Sequence, residues 1–284
     1  MNILITGSNG QLGSEIKDLA AGFGQHRFFF TDLPELDVTN AEKAGKYMKG
    51  NQIEAVLNCA AYTQVDKAEQ DKGNAALLNS GAVKILAEAC SEYNALLIHV
   101  STDYVFDGKN FKPYTENDTA NPKTIYGKTK LDGEVEVMFN AKRAIIIRTS
   151  WLYSHFGHNF VKTILNKCKS EKEIKVVCDQ IGTPTYARDL AKAILEILPK
   201  IPSRSRGEIY NYSNEGVASW YDLAQAISDI KGLPCKITPI LSKDFSQAAQ
   251  RPHYSVLNKA RFKSEFGLEI PYWRDSLKEC LGKL

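Results

Sequence analysis

The first thirteen residues constrain the chain most. An apolar run, Asn2-Ile3-Leu4-Ile5-Thr6, leads straight into Gly7-Ser8-Asn9-Gly10-Gln11-Leu12-Gly13, and a helical pattern follows from Gln11 to Ala21. Strand, glycine turn and helix in that order open a doubly wound α/β fold. Gly7 allows the tight turn, Gly10 lets the backbone approach a pyrophosphate, and Gly13 lets helix and strand pack closely. The turn around Asn9, Gln11 and Leu12 presents unpaired N–H groups and the positive end of the helix dipole to an anion. A dinucleotide is the expected ligand.

The rest of the first half keeps the same rhythm. Strands are expected at 27–31 (closed by Asp32), 54–58, 96–101 and 144–148, with one or two long helices over 66–93 and another over 124–139. Apolar Ala82, Ile85, Leu86 and Ala89 recur at helical spacing. Leu96-Leu97-Ile98-His99-Val100-Ser101 is a nearly unbroken apolar run, as a central strand buried on both faces requires. Beyond residue 150 turns with Gly and Pro multiply, and helical patterns remain at 159–170, 186–198, 220–231 and 258–266. The expected architecture is α/β: a Rossmann-type doubly wound parallel sheet in residues 1–150, completed by returns from the second half, and a smaller C-terminal substrate-binding lobe in 151–284.

Composition excludes several classes of function. A net charge of +3, with no run of Lys and Arg among aromatics, argues against a nucleic-acid partner. No apolar stretch approaches the roughly 20 residues of a membrane span, and Met1 to Gly7 has no basic n-region, so neither membrane insertion nor export is expected. Six scattered cysteines without a Cys-x-x-Cys pair fit reduced thiols in the cytoplasm. The five histidines show no metal-ligand spacing with other donors, so no metal site is expected.

The chemistry sits in the middle of the chain. Tyr126-Gly127-Lys128-Thr129-Lys130 places Tyr126 and Lys130 four residues apart on one helix face. Ketone reduction needs a hydride on carbon and a proton on the developing alkoxide. A tyrosine with an ordinary pKa of about 10 becomes a better proton carrier when a neighbouring ammonium favours the phenolate. Ser101-Thr102-Asp103-Tyr104 follows the buried strand and supplies a hydroxyl to hold the substrate oxygen. Thr102 is the candidate and Ser101 its rival. Asp103 either binds a substrate hydroxyl or caps the turn. Asp32 is placed to accept hydrogen bonds from an adenosine ribose, and its charge opposes a 2′-phosphate.

Glycines at positions 1, 4 and 7 of the turn, followed by a hydroxyl and Tyr-x-x-x-Lys, resemble the extended short-chain dehydrogenases. That resemblance implies that Asp37-Val38 cradles the adenine. It also implies that Ala60-Ala61-Tyr62-Thr63, like the family's turn after its fourth strand, lets a cofactor lie against the backbone. Longer strings narrow the likeness: Ala61 to Glu69, Ser101 to Gly108, Arg148 to Tyr153, Gly182 to Thr185, Arg251 to Leu257 and Pro271 to Trp273. Together they resemble the dTDP-4-dehydrorhamnose reductase family over both halves of the chain.

The implied reaction is NAD(P)H-dependent reduction of the C4 ketone of a dTDP-linked 4-keto-6-deoxyhexose, with NADPH or NADH as cofactor. Thr102, Tyr126 and Lys130 would form the triad. Trp151 and Asp103 would contact the sugar, with Val65 and Tyr104 nearby, and Arg251 would suit the diphosphate. Trp151 also reads as core packing and Arg251 as a surface ion pair. Thr129 and Tyr254 stand where the family usually has Ser and Asn. A 4-epimerase, a dehydratase, and a non-catalytic subunit such as the methionine adenosyltransferase β subunit are the alternatives. A homodimer is compatible with the family, but no motif carries over the Mg²⁺ that some members hold at an acidic interface.

Overall fold

The computed structural model describes residues 1–284. Its first half runs β1 (Asn2–Thr6), α1 (Gln11–Leu19), β2 (Arg27–Thr31), α2 (Ala41–Gly50), β3 (Ala55–Asn58), α3 (Val65–Ala68), α4 (Lys72–Ala76), α5 (Ala82–Glu92), β4 (Leu96–Thr102), α6 (Ile125–Asn140) and β5 (Ala144–Thr149). The second half adds β6 (Leu152–Tyr153), α7 (Phe160–Ser170), β7 (Glu173–Val177), β8 (Ile181–Gly182), β9 (Thr185–Tyr186), α8 (Ala187–Ile197) and β10 (Arg206–Asn211). It closes with β11 (Ala218–Ser219), α9 (Trp220–Lys231), β12 (Lys236–Ile240), α10 (Ala260–Phe266) and α11 (Trp273–Gly282).

Six parallel strands form the central sheet in the order β10-β5-β4-β3-β1-β2. The chain leaves β1 toward β2 and then returns to the other side of β1 with β3. The strand order therefore reverses between β1 and β3, and the crevice at their carboxyl ends is where open α/β sheets bind ligands. Alternation within each strand covers both faces. Ile3, Ile5, Leu57 and Ile98 pack under α1 and α8, while Leu4, Val56, Leu97 and Ile146 pack against residues of α2, α5 and α6.

The second half divides its residues between two cores. Leu190 and Ile194 of α8, Tyr210 of β10 and Phe262 of α10 complete the first core beneath the sheet. A separate cluster gathers Val161, Leu165, Ile174, Leu223, Ile227, Ile237 and Leu277 from α7, β7, α9, β12 and α11. There β12 pairs in parallel with β7.

The stretch 66–93 folds as the short α3 followed by one helical run over 72–92, in which a π turn at Leu77–Gly81 joins α4 to α5 without a break. That turn points Asn79 inward, where its side chain accepts from the Tyr62 N–H (2.8 Å) and donates to the Tyr62 carbonyl (3.1 Å). Leu36 and Val38 are buried, and the Ala60 turn follows β3, the third strand of the chain.

Helix α6 lies close against its neighbours through two glycines. A Cβ at Gly127 would stand 2.2 Å from the Tyr104 carbonyl oxygen, and one at Gly133 would stand 2.1 Å from that of Asn79. No helix is long and apolar enough to cross a membrane.

Candidate active site

The carboxyl ends of β1, β3 and β4 open into one cleft of about 720 Å³, closed on its far side by Trp151, Phe160 and Trp220. At one end lies the glycine turn. Gly7 has φ 62°, and a Cβ there would come within 2.7 Å of the Ala60 Cα. A Cβ at Gly13 would come within 2.5 Å of the Ser8 Cα. The protein's own packing demands both glycines. At Gly10 the one close atom is the Gly7 oxygen at 3.2 Å, so the space above Gly10 belongs to the cleft. No side chain caps α1, which leaves its first N–H groups to a ligand.

Asp32 accepts from the N–H groups of Asn9 (3.1 Å) and Leu33 (2.9 Å), tying the end of β2 to the turn while lining the cleft. Gln11, Leu12, Asp37, Val38, Ala60, Ala61, Thr63 and Val65 line it as well. Asn9 and Tyr62 do not. Asn9 is exposed at the tip of the turn. The Tyr62 backbone is held on both sides by Asn79, and its hydroxyl donates to Asp71 at 3.0 Å.

Thr102 is the last residue of β4. Its hydroxyl oxygen accepts from the Tyr104 N–H (3.2 Å), and the hydroxyl donates to Asp103 Oδ1 (3.1 Å). The Ser101 hydroxyl is committed elsewhere: it donates to Glu134 at 2.5 Å. Glu134 in turn takes two bonds from the Arg148 guanidinium, at 2.9 and 2.6 Å, and the group is buried. Thr102 is therefore the hydroxyl offered to the cleft. Asp103 is buried, and burial pushes its pKa up to about 6 against the opposing pull of the Ser255 and Thr102 hydroxyls.

Tyr126 and Lys130 both line the cleft from α6. Thr124 caps this helix, accepting from the Gly127 N–H at 3.0 Å. The Tyr104 ring meets Tyr126 edge-on, with centroids 5.5 Å apart. Burial raises the Tyr126 phenol to about 12, although the Thr102 hydroxyl pulls the other way. The expected lowering by Lys130 is thus not realised here, and the reason is geometric. The Lys130 amine points into the sheet, donating to the Val100 carbonyl at 2.7 Å and lying 3.3 Å from His99 Nε2. Burial pushes its own pKa down to about 8.

Beyond these three residues, Trp151 adopts φ 47°, and its ring stacks on Trp220, against which Phe160 also packs. Arg251 lines the cleft, but its guanidinium is already held by Asp66 (2.6 and 3.1 Å) and Gln247 (2.6 Å). The ion-pair reading of Arg251 is realised within the cleft wall. Thr129 joins the frame rather than the cleft, donating to the Tyr126 carbonyl and accepting from Asn79.

A family model described as the RmlD substrate binding domain matches residues 1–284. The chain belongs to the RmlD family. A dTDP-4-dehydrorhamnose reductase of Aggregatibacter actinomycetemcomitans is 37% identical over 285 residues, covering 97% of each chain. The crystal structure of a dTDP-4-dehydrorhamnose reductase from Clostridium acetobutylicum is 40% identical, with a TM-score of 0.95 over 99% of both chains. A dTDP-4-dehydrorhamnose reductase from Bacillus anthracis, solved in complex with NADP, is 33% identical with the same TM-score, covering 100% of this chain and 99% of the other.

Sequence reasoning missed part of this RmlD-family cleft: Trp220, Phe160, Leu78 and the segment Gly157-His158-Asn159. Asn159 caps α7 and donates to Gln11 Oε1 at 2.8 Å, which fastens the second half of the chain to the glycine turn. Nothing in the spacing of these residues announces that contact. For Trp220, the one usable signal is the Ser-Trp-Tyr-Asp run, whose Ser219 and Asp222 form a capping box that fixes where the helix begins.

Proposed function

We propose that this chain is a cytoplasmic enzyme that reduces the C4 ketone of dTDP-4-dehydro-L-rhamnose to give dTDP-L-rhamnose, using NADPH or NADH. The observation that carries the proposal is the convergence of Thr102, Tyr126 and Lys130 beside an open glycine turn, in a chain whose full-length relatives bear that reductase's name. The NADP found in a relative supports the cofactor.

The cofactor-binding residues fit such a group. Gly10 is clear of side chains and the N-terminus of α1 is uncapped, so Gly7 to Gly13 would hold the pyrophosphate. Asp32, Asp37 and Val38 would surround the adenosine, with Ala60, Ala61 and Thr63 against the other side. The two Asp32 bonds to the turn leave a carboxylate that also admits NADH. When bound, the reduced nicotinamide supplies a hydride. The chain supplies the proton. Tyr126, kept protonated at neutral pH by burial, delivers it to the developing alkoxide. Thr102 orients that oxygen, and Lys130, whose amine lies behind Tyr126 against the Val100 carbonyl, would hold the nicotinamide ribose of the bound cofactor. Asp103, which lines the cleft, would accept from a sugar hydroxyl. Trp151 and Trp220 would pack against the sugar's apolar face, with Val65 and Tyr104 close by and Arg251 toward the diphosphate.

The test is to mix purified protein with dTDP-4-dehydro-L-rhamnose and follow NADPH and NADH loss at 340 nm in parallel. Loss of either with formation of dTDP-L-rhamnose is expected. Cofactor binding without any loss would overturn the substrate assignment.

A further inference from the structure

Behind Lys130 runs a buried polar chain that the reaction as described does not use. His99 of β4 is fully buried, with Nε2 3.3 Å from the Lys130 amine. Its Nδ1 lies 3.1 Å from the Asn58 side-chain amide, and Asn58 Oδ1 lies 2.7 Å from the Thr6 hydroxyl. Thr6 pairs with Asn58 and Asn58 with His99 in the parallel register of β1, β3 and β4. Three polar side chains therefore stand side by side across the sheet, on the face that otherwise holds Leu4, Val56 and Leu97. Burying polar groups in such a layer is costly unless each is satisfied. The chain starts at the lysine and ends next to Gly7.

The hydrogen-bond inventory decides what this chain can do. A neutral histidine has one donor and one acceptor, and burial holds His99 neutral. With Lys130 as a neutral amine, every group is satisfied: His99 Nε2–H donates to Nζ, Asn58 Nδ2 donates to Nδ1, and Thr6 donates to Asn58 Oδ1. An ammonium has three donors and no lone pair. Lys130 in that form requires the other tautomer, in which Nε2 accepts and Nδ1–H donates. A half-turn of the Asn58 amide, which keeps its shape, then offers Oδ1 to the ring and Nδ2 to Thr6.

We infer that His99 is a positioning residue that keeps Lys130 hydrogen-bonded in both of its protonation states, with Asn58 and Thr6 reversing their bonds to match. The inference rests on the proposed role of Lys130 at the cofactor. Other groups facing Lys130 do not replace His99. Cys59 at the end of β3 is a neutral thiol, raised to about 12 by burial. Glu134, one turn along α6, is taken by Arg148 and Ser101. Tyr126 keeps its proton.

The experiment measures NADPH affinity of the full chain by fluorescence between pH 6 and pH 10, with no sugar present. Lys130→Met identifies the lysine's contribution: affinity of the parent falls as the ammonium is lost, and the variant lacks that midpoint. His99→Asn keeps an amide at the Nδ1 position but cannot reach Lys130, whereas His99→Gln places an amide where Nε2 stood. The ammonium gains more from an acceptor than the amine does, so His99→Asn is expected to move the midpoint down by about one pH unit, a tenfold change in the lysine's proton equilibrium. His99→Gln is expected to hold it near the parent value. Both polar variants fill similar space, so a merely structural role would lower their melting temperatures without separating their midpoints. Equal midpoints in parent, Asn and Gln variants would overturn the inference, as would a midpoint that survives Lys130→Met. Because sugar reduction is not the readout, a parent that binds NADPH with the expected midpoints but leaves dTDP-4-dehydro-L-rhamnose untouched would sink the substrate assignment alone.

Discussion

Trp151 and Trp220 lie face to face, with ring centroids 3.6 Å apart and planes within 5° of parallel. The two rings come from separate parts of the chain. Trp151 follows β5 in a left-handed backbone conformation, and Trp220 opens α9 with its indole N–H donating to Gln180 at 3.1 Å. Gly182 of β8 fits against the edge of Trp151, where a Cβ would be 2.6 Å from Cε2. Gly182→Ala should push Trp151 out of the stack. The expected result is a rise in KM for the nucleotide sugar of about tenfold, equal to roughly 1.4 kcal/mol, with NADPH affinity unchanged. Steady-state kinetics together with a cofactor titration check this, and an unchanged KM would remove Trp151 from the sugar site.

Tyr126→Phe removes the proton and little else. Turnover should fall by about 10²- to 10⁴-fold, the range of a lost general acid, while NADPH binding persists. A variant that still turns over near the parent rate would exclude Tyr126 as the proton donor.

Asp103 and Lys130 should give stability opposite slopes with pH. The carboxyl of Asp103 is raised by burial from its ordinary 3.8 to about 6. The folded state therefore holds the Asp103 proton more tightly than the unfolded chain. The stability it contributes is present below about pH 4 and is lost as pH rises through 6. Asp103→Asn should be the more stable protein at pH 7, by up to about 3 kcal/mol, with that advantage gone at pH 4. Urea melts at the two pH values measure it; an equal difference at both would exclude the shift.

Lys130 is displaced the other way, from 10.5 to about 8. Between those values the unfolded chain binds the extra proton, so stability of the parent should rise with pH across this window. Lys130→Met should flatten that rise. Melting temperature from pH 7 to pH 10 reads the slope directly, and identical slopes in parent and variant would contradict a depressed lysine.

The Glu134–Arg148 pair is a structural debt of the site. Arg148→Met leaves Glu134 buried with only Ser101 to satisfy it, and should cost about 3–5 kcal/mol. Denaturant unfolding checks the figure; a loss below 1 kcal/mol would mean that Glu134 takes up a proton instead.

Much of the site could be read in the sequence because regular elements encode direction. The glycine turn lies between a strand and a helix, and a four-residue spacing on α6 puts Tyr126 and Lys130 on one cleft wall. Residues in turns carry no such code, which is why Asn9 and Tyr62 stay outside the cleft although their neighbours line it. The inward aim of Lys130 depends on His99 and the Val100 carbonyl, partners that helical spacing cannot reveal. Helix α2 buries just Ala44 and Met48, too thin an apolar stripe to mark it in advance. Trp220 meets Trp151 through tertiary folding alone.

The two glycines of α6 have a consequence for anyone who would retarget this enzyme. With main-chain oxygens pressed against positions 127 and 133, the helix behaves as a jig that locates Tyr126 by contact between backbones. Its placement is thus insulated from side-chain drift on either side. A mutant library across this helix should return survivors with both glycines intact whatever sugar is selected for. New specificity would have to be sought across the cleft, where Trp220 and Phe160 line the opposite wall from elements that carry none of the candidate triad.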